Sequence, residues 1–290
     1  MNILVLGASG MVGSAIFRTL SQNDEYRTLG TVRSRVVARF FEPRLRDRLI
    51  TNVDILDTAS VAKVFNESRP DVVINCIGVT KHRGAEGDRV ATIHLNSLLP
   101  HLLADLCESL GARFIHISTD CVFSGLTGKY KEKDPPDARD LYGRSKLLGE
   151  VVSSPDAITI RTSFIGHELA SRYSLLEWFL SQKEACKGFT KAFFSGFPAV
   201  TFARLLRDFV IPKQNLKGLY HVASEPINKY TLLRIVARVY KKCIHIEPDD
   251  SVIIDRSLDG SRFNCETGFM PQSWEEMIIA MNEDCVRERK

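Results

Sequence analysis

The first half of the chain alternates two kinds of apolar pattern. Short β-branched runs at Ile3 to Leu6, Arg27 to Val32, Val72 to Ile77 and Arg113 to Ser118 predict buried strands. Between them lie longer stretches with apolar residues at helical spacing. The fullest is His94 to Leu110, where Leu95, Leu98, Leu99, Leu102, Leu103 and Leu106 recur and Gly111 supplies the stop. Pro100 falls inside this pattern, so the helix is expected to kink or to begin late there. Further strands are expected at Asn52 to Ile55 and Ala157 to Arg161. The rhythm predicts βαβ units, and with them an α/β fold: a Rossmann-type doubly wound parallel sheet covered on both faces.

After Ser163 the rhythm is less regular. An aromatic-rich segment, Tyr173 to Phe197, precedes a predicted helix at Phe202 to Val210 and a strand at Gly218 to Ala223. The tail predicts a helix opening after Asn228, with Leu232, Val236 and Val239 on one face, and another opening at Ser273-Trp274-Glu275-Glu276 with capping-box spacing. The expected organisation is a dinucleotide-type domain over 1–165, with 199–224 returning to its sheet, and a smaller C-terminal α/β substrate lobe over 166–290.

Composition narrows the class. With 44% hydrophobic and 26% charged positions in 290 residues, the chain is neither disordered nor fibrous. The net charge of +4, from 39 basic and 35 acidic side chains, is too small to predict nucleic-acid binding. No apolar run approaches the roughly 20 residues that span a bilayer, and Met1-Asn2 leads straight into Ile3 without a basic leader. A soluble cytoplasmic protein without a signal peptide is therefore expected. The seven cysteines form no Cys-x-x-Cys pair and the seven histidines no His-x-x-x-His pair, which fits a reducing compartment and predicts no metal site.

The first strand leads into Gly7-Ala8-Ser9-Gly10-Met11-Val12-Gly13, which opens an apolar helix. One glycine allows the tight turn, another lets backbone approach a pyrophosphate, and the helix N-terminus adds N–H donors. The spacing is one residue longer than Gly-x-Gly-x-x-Gly. The second strand ends Gly30-Thr31-Val32-Arg33-Ser34-Arg35, without the carboxylate that accepts a ribose 2′-hydroxyl in NAD sites. Arg33 there suits a 2′-phosphate and so NADP(H), unless it merely begins the basic stretch that continues to Arg48. Asp54, followed by Ile55, either accepts from the adenine amino group or caps its loop.

Tyr142-Gly143-Arg144-Ser145-Lys146 places a phenol and an ammonium four apart, on one face of a helix expected from Leu141 to about Ser153. A cation close by lowers a phenol toward the working range of a proton donor; a plain surface helix is the alternative. Ser118-Thr119-Asp120, closing a buried strand, can supply a hydroxyl to an oxygen on which charge develops.

These motifs, with Asn75-Cys76-Ile77-Gly78, Cys121-Val122-Phe123, Leu147-Leu148-Gly149-Glu150 and Ile160-Arg161-Thr162-Ser163, resemble an extended short-chain dehydrogenase/reductase. The likeness is nearest to dTDP-4-dehydrorhamnose reductases and related nucleotide 4-keto-6-deoxysugar reductases, over nearly the whole chain. It implies that NADP(H) is held by the glycine loop (Gly7, Ser9, Gly10, Met11, Val12, Gly13), Arg33, Asp54, Ile55, Cys76, Ile77, Gly78, Tyr142 and Lys146. Tyr142 would protonate the C4 oxygen, Lys146 would hold the nicotinamide ribose and depress the tyrosine, and Thr119 would bond the keto oxygen, with Ser118 as substitute. Asn96 matches a structural asparagine. Lys81 and His82 either face cofactor or sugar phosphate or lie in a solvated loop.

Cys121 departs from the rhamnose reductases, which carry tyrosine there, and matches enzymes that epimerise as well as reduce. It is either a proton carrier at C3 and C5 or a small apolar filler, and the second acid/base would be His167. His167, Trp178 and Arg256 are the substrate-side candidates, with Glu168 and Phe194 to Phe197 nearby; Trp178 is otherwise core, and Arg256 and Arg262 otherwise surface arginines. The resemblance implies a nucleotide-sugar substrate, no nucleic-acid or membrane partner, and allows a homodimer. It extends to the regulatory β subunit of methionine adenosyltransferase, so a non-catalytic NADP-binding subunit is the competing reading.

Overall fold

Ile3, Leu4, Val5 and Leu6 are each at most 1% exposed, so the first strand is covered on both faces. Ile3 and Val5 pack into one cluster with Ile16, Phe17 and Phe202, and Leu4 and Leu6 into another with Phe65 and Leu103. That alternation is what a strand between two helical layers requires. The structure, a computed structural model, describes residues 1–80 and 88–288.

The first half runs β1 (Asn2–Leu6), α1 (Met11–Leu20), β2 (Arg27–Thr31), α2 (Pro43–Arg46), β3 (Leu49–Ile50), α3 (Thr58–Ser68) and β4 (Val72–Asn75). It continues with α4 (Arg89–Ile93), α5 (Leu99–Leu110), β5 (Arg113–Ile117), α6 (Leu141–Leu148) and β6 (Ala157–Arg161). The second half begins β7 (Phe164–Ile165), α7 (Leu175–Ser181), β8 (Ala185–Phe189), β9 (Ala192–Phe194), β10 (Phe197–Pro198), α8 (Ala199–Leu205) and β11 (Gly218–His221). It ends with β12 (Ile227–Asn228), α9 (Lys229–Val239), β13 (His245–Asp249), β14 (Ile254–Asp255), α10 (Ser261–Thr267) and α11 (Trp274–Glu288).

Seven strands form one sheet in the order β11-β6-β5-β4-β1-β2-β3, with every pairing parallel. The doubly wound Rossmann arrangement expected from the alternating pattern is therefore present. β11 pairs with β6, and α8 packs along α1, so chain from the second half completes the first sheet and its cover. The remaining strands make small sheets, β12-β9-β14, β13-β8 and β10-β7. No helix among the described residues is long and apolar enough to cross a membrane.

Several boundaries differ from expectation for local reasons. The third strand is Leu49–Ile50 rather than Asn52 to Ile55, because Asn52 takes φ 60° and turns the chain out of the ladder. The regular α-helix around Pro100 starts late, as expected, α5 opening at Leu99, although helical chain precedes it. That chain begins at Arg89 and passes through a π turn at His94–Leu98, which puts Pro100 in the first turn of α5, where its missing N–H does no harm. α6 stops at Leu148, short of Ser153, with Gly149 as its C-cap, a position where any side chain would collide with the Asn96 carbonyl. The C-terminal capping box forms as read, with Ser273 N–H donating to Glu276 at 2.9 Å and Glu276 N–H to the Ser273 hydroxyl at 3.3 Å.

Candidate active site

The C-terminal ends of β1, β4 and β5 present three loops to one another, as ligand-binding edges of open α/β sheets do. In the first, Gly7 takes φ +81°, and a Cβ on it would stand 3.0 Å from Ile77 Cγ1 and 3.3 Å from the Cys76 backbone. A Cβ on Gly13 would overlap the Gly7 carbonyl. Thr31 pins the turn, its Oγ1 accepting from Gly7 N–H at 3.2 Å and its carbonyl from Ala8 N–H at 3.0 Å. The N-cap of α1 is Gly10, which offers no side-chain acceptor to the first-turn amides of Met11, Val12 and Gly13. Bare backbone beneath uncapped amides is a cradle that fits a dinucleotide pyrophosphate. Ser9 lies in the same turn, and Arg33 stands exposed just past β2, at the same edge. Asp54 caps its own loop, Oδ1 accepting from Leu56 N–H at 3.0 Å, while Ile55 is half-buried under the sheet. Gly78 abuts Asn96, whose side chain bonds both backbone groups of Val79 and the Ser145 hydroxyl.

Thr119 caps a short turn, Asp120–Val122, accepting from Cys121 N–H at 3.1 Å and donating to Asp120 Oδ1 at 3.2 Å. α6 approaches that turn closely because Gly143 has no side chain; a Cβ there would run into the Cys121 carbonyl. Asp140 starts the helix, accepting from Gly143 N–H at 2.9 Å. The result brings the Tyr142 phenol close to the Thr119 hydroxyl, with the Cys121 thiol alongside. Burial, reinforced by Cys121 and Asp120, pushes Tyr142 above its ordinary value against the pull of Thr119. Cys121 is pushed up to about 12 by burial and by Asp120, so its thiol is neutral.

Lys146 is anchored on the neighbouring strand. Its Nζ donates to the Ile117 carbonyl at 2.7 Å, at the end of β5. Helical spacing puts phenol and ammonium on one face, and the ammonium satisfies a strand-end carbonyl. Burial draws Lys146 down to about 8, against the upward pull of Glu150 and Cys76. Ser118 is also turned away from the phenol, its hydroxyl donating to Glu150 Oε1 at 2.7 Å. Arg161 grips the same carboxylate through Nε at 2.8 Å and Nη2 at 2.7 Å, and the pair is buried beneath the Phe123 ring.

From the second half, Arg256 donates from Nε to the Phe123 carbonyl at 2.9 Å and Lys229 lies 3.9 Å over the Phe194 ring. Both act electrostatically on Asp120, which burial holds above the ordinary carboxylate range. Arg256 is thus at the site; Arg262 is not, pairing at the surface with Glu266 at 3.1 Å.

His167 stands elsewhere. Its ring meets Glu177 at 2.7 Å and the Tyr240 hydroxyl at 2.9 Å, and it lines a separate recess of about 360 Å³ with Leu180, Lys242 and Cys285. Burial would lower it, but its bonds to Cys285 and Glu177 lift it to about 9. Both ring nitrogens are thus taken by Glu177 and Tyr240, and none of the ring's hydrogen bonds goes to Cys121, the partner expected for it. Trp178 sits on α7 and, at 39% exposed, is not core. Lys81 and His82 lie outside the described residues. Lys229 escaped motif reasoning, since no spacing links it to Tyr142; Glu150 and Arg161 stood in the recognised motifs, but not as a pair. Among the described residues no cluster of His, Cys, Asp and Glu could hold a metal ion.

The family described as RmlD substrate binding domain matches residues 1–284. The chain is 38% identical over 169 residues to the Haloferax volcanii protein named Probable low-salt glycan biosynthesis reductase Agl14, covering 57% of this chain and 54% of that one. It thus spans about half the length of that relative. It is 28% identical over 251 residues to methionine adenosyltransferase 2 subunit beta of Danio rerio, covering 82% and 73%. Among solved structures, dTDP-4-dehydrorhamnose reductase from Bacillus anthracis in complex with NADP superposes with a TM-score of 0.78, covering 97% of this chain and 98% of that one. At 21% identity that likeness establishes the fold alone.

Proposed function

The chain belongs to the RmlD substrate binding domain family, and from that premise we propose that it is an NADP(H)-dependent reductase of the C4 ketone of a nucleotide-linked 4-keto-6-deoxyhexose, serving activated deoxysugar and surface-polysaccharide biosynthesis. The observation that carries the reading is the close packing of α6 on the turn after β5, where Gly143 lies against the Cys121 carbonyl and so sets the Tyr142 phenol beside the Thr119 hydroxyl, next to a loop shaped for pyrophosphate.

When bound, the nicotinamide supplies the hydride that adds to the ketone carbon. Gly7, Gly10, Met11, Val12 and Gly13 would hold its pyrophosphate and Arg33 its 2′-phosphate. Tyr142 donates a proton to the C4 oxygen, and the burial that raises its value keeps that proton on the phenol at neutral pH. Thr119 donates to the same oxygen as charge builds there. Asp120 now accepts from Thr119, so the hydroxyl rotates when the ketone arrives. Lys146, released from the Ile117 carbonyl, would bind the nicotinamide ribose, and its charge would then favour the phenolate left behind.

A second reading rests on Cys121, whose thiol lies beside Tyr142. To epimerise the carbon next to the ketone, Cys121 would have to act as thiolate to take that carbon's proton, leaving an enolate, and as thiol to return one before reduction. The burial that keeps it neutral works against the first of these steps.

The test is NADPH oxidation with UDP- and dTDP-linked 4-keto-6-deoxysugars in deuterium oxide. Oxidation that disappears in Tyr142→Phe is expected. Deuterium at C3 or C5, lost in Cys121→Ser, would establish the second reading. Tight NADPH binding without turnover across the panel would overturn both and leave a nucleotide-binding regulatory subunit, the class of the Danio rerio relative.

A further inference from the structure

The recess beside His167 gathers chemistry from four elements. His167 follows β7, Glu177 lies on α7, Tyr240 and Lys242 follow α9, and Cys285 lies near the end of α11. The Cys285 thiol is half-buried and lines this recess together with His167. A second, narrower hollow has the same two residues on its wall, next to Met11 and Ala15 of α1. Two hollows that share His167 and Cys285 put the ring and the sulfur side by side.

Burial disfavours a charge on His167, yet the Cys285 sulfur and the Glu177 carboxylate raise its value to about 9, so the ring is an imidazolium at neutral pH. The other charges around it are tied down. Lys242 Nζ donates to the Leu180 and Gln182 carbonyls at 3.0 and 2.6 Å, and Asp284, one residue before Cys285, pairs with Arg18 of α1 at 3.5 Å. Arg172, before α7, acts on Glu177. A cation held beside a sulfur favours its ionised, nucleophilic form. An ordinary thiol is only a few per cent thiolate at neutral pH, so such a cation can raise the reactive fraction about tenfold.

We propose that Cys285 is a modification site, a nucleophilic thiol activated by His167 that exchanges with a low-molecular-weight disulfide and keeps one small-thiol half in the recess as a mixed disulfide. The Cys285 sulfur bonds to one sulfur of the incoming disulfide, the S–S bond breaks, and the other half leaves as a thiolate that takes up the proton Cys285 gave away. Cys285 is oxidised and the leaving half is reduced. The recess, of about 360 Å³, falls within the roughly 300–1,000 Å³ of small-ligand sites. Leu180 and Val286 offer apolar wall to the carbon chain of the retained half, and Lys242 and Asn282 offer polar groups to its ends. Neither Cys285 nor His167 takes part in the ketone reduction proposed above.

The test is exposure of the full chain to glutathione disulfide, with the mixed disulfide at each cysteine followed over time by peptide mass spectrometry. Cys243 and Cys265, both exposed, are the internal controls. At neutral pH the half-buried Cys285 is expected to react about tenfold faster than either control. That advantage is expected to shrink as pH climbs through about 9, where His167 loses its proton, and to disappear in His167→Asn. Modification of Cys285 no faster than of Cys243 and Cys265, or an advantage that persists unchanged above that pH, would overturn the proposal. Both of these outcomes are read in wild type, so they decide the matter even where the variant fails to fold.

Discussion

The Ser118 hydroxyl donates to Glu150 Oε1 at 2.7 Å, while the neighbouring Thr119 hydroxyl turns the other way, accepting from Cys121 N–H at 3.1 Å on the side of Tyr142. Two adjacent hydroxyls at the end of β5 thus point to opposite sides, one into a buried ion pair and one into the site. Thr119→Ala is expected to lower kcat by about a hundredfold, the scale of losing one donor to a developing oxyanion. Ser118→Ala is expected to change kcat less than about threefold and to destabilise by about 1 kcal/mol. Steady-state kinetics and urea unfolding on the two variants separate the roles.

The pair beneath them sets the stability of the same region. Arg161 and Glu150 side chains are 3% and 5% exposed, so Arg161→Met strands a buried carboxylate. A loss of about 3–5 kcal/mol is expected, read as a lower urea midpoint.

Lys146 gives activity and stability opposite pH trends. Its folded value of about 8 lies below the ordinary 10.5, so the folded chain releases this proton before the unfolded chain does. Its contribution to stability therefore rises as pH climbs from about 8 toward 10.5, where the unfolded chain binds more protons. Turnover, which uses the ammonium, is expected to fall as pH rises through about 8. Lys146→Met should abolish turnover and flatten that part of the stability profile. Both follow from kcat/KM and thermal unfolding measured between neutral and alkaline pH.

The glycine cradle and Arg33 act on different parts of the cofactor. Gly13→Ala pushes a methyl into the Gly7 carbonyl and is expected to weaken NADPH and NADH alike, by more than about tenfold. Arg33→Ala is expected to weaken NADPH by about tenfold while sparing NADH. Fluorescence titration of both cofactors reports the ratio.

Spacing along the chain was enough to expect the parallel sheet, the glycine loop and the face shared by Tyr142 and Lys146, because each depends on neighbours a few residues apart. It could not show which acceptor Lys146 would choose, since the Ile117 carbonyl reaches it through packing of α6 on β5. Nor could it place Lys229, which arrives through strand pairing with β9. His167 looked suitable by chemistry alone, and only the positions of Glu177 and Tyr240 show that its ring is engaged elsewhere. Asn52 ended a strand early through a backbone angle that an apolar pattern does not encode.

The π turn at His94–Leu98 lets two consecutive side chains serve α6: Asn96 bonds the Ser145 hydroxyl at 3.1 Å and Ser97 the Ser145 carbonyl at 2.9 Å. An ordinary helical turn would point neighbours about 100° apart. Deleting one residue here would close the ladder yet rotate everything before it relative to everything after, pulling Asn96 from Val79 or Leu103 from the core. Length is therefore as firm a requirement along this helix as the identity of Asn96 and Ser97, because one residue more or fewer would displace both from their partners at once.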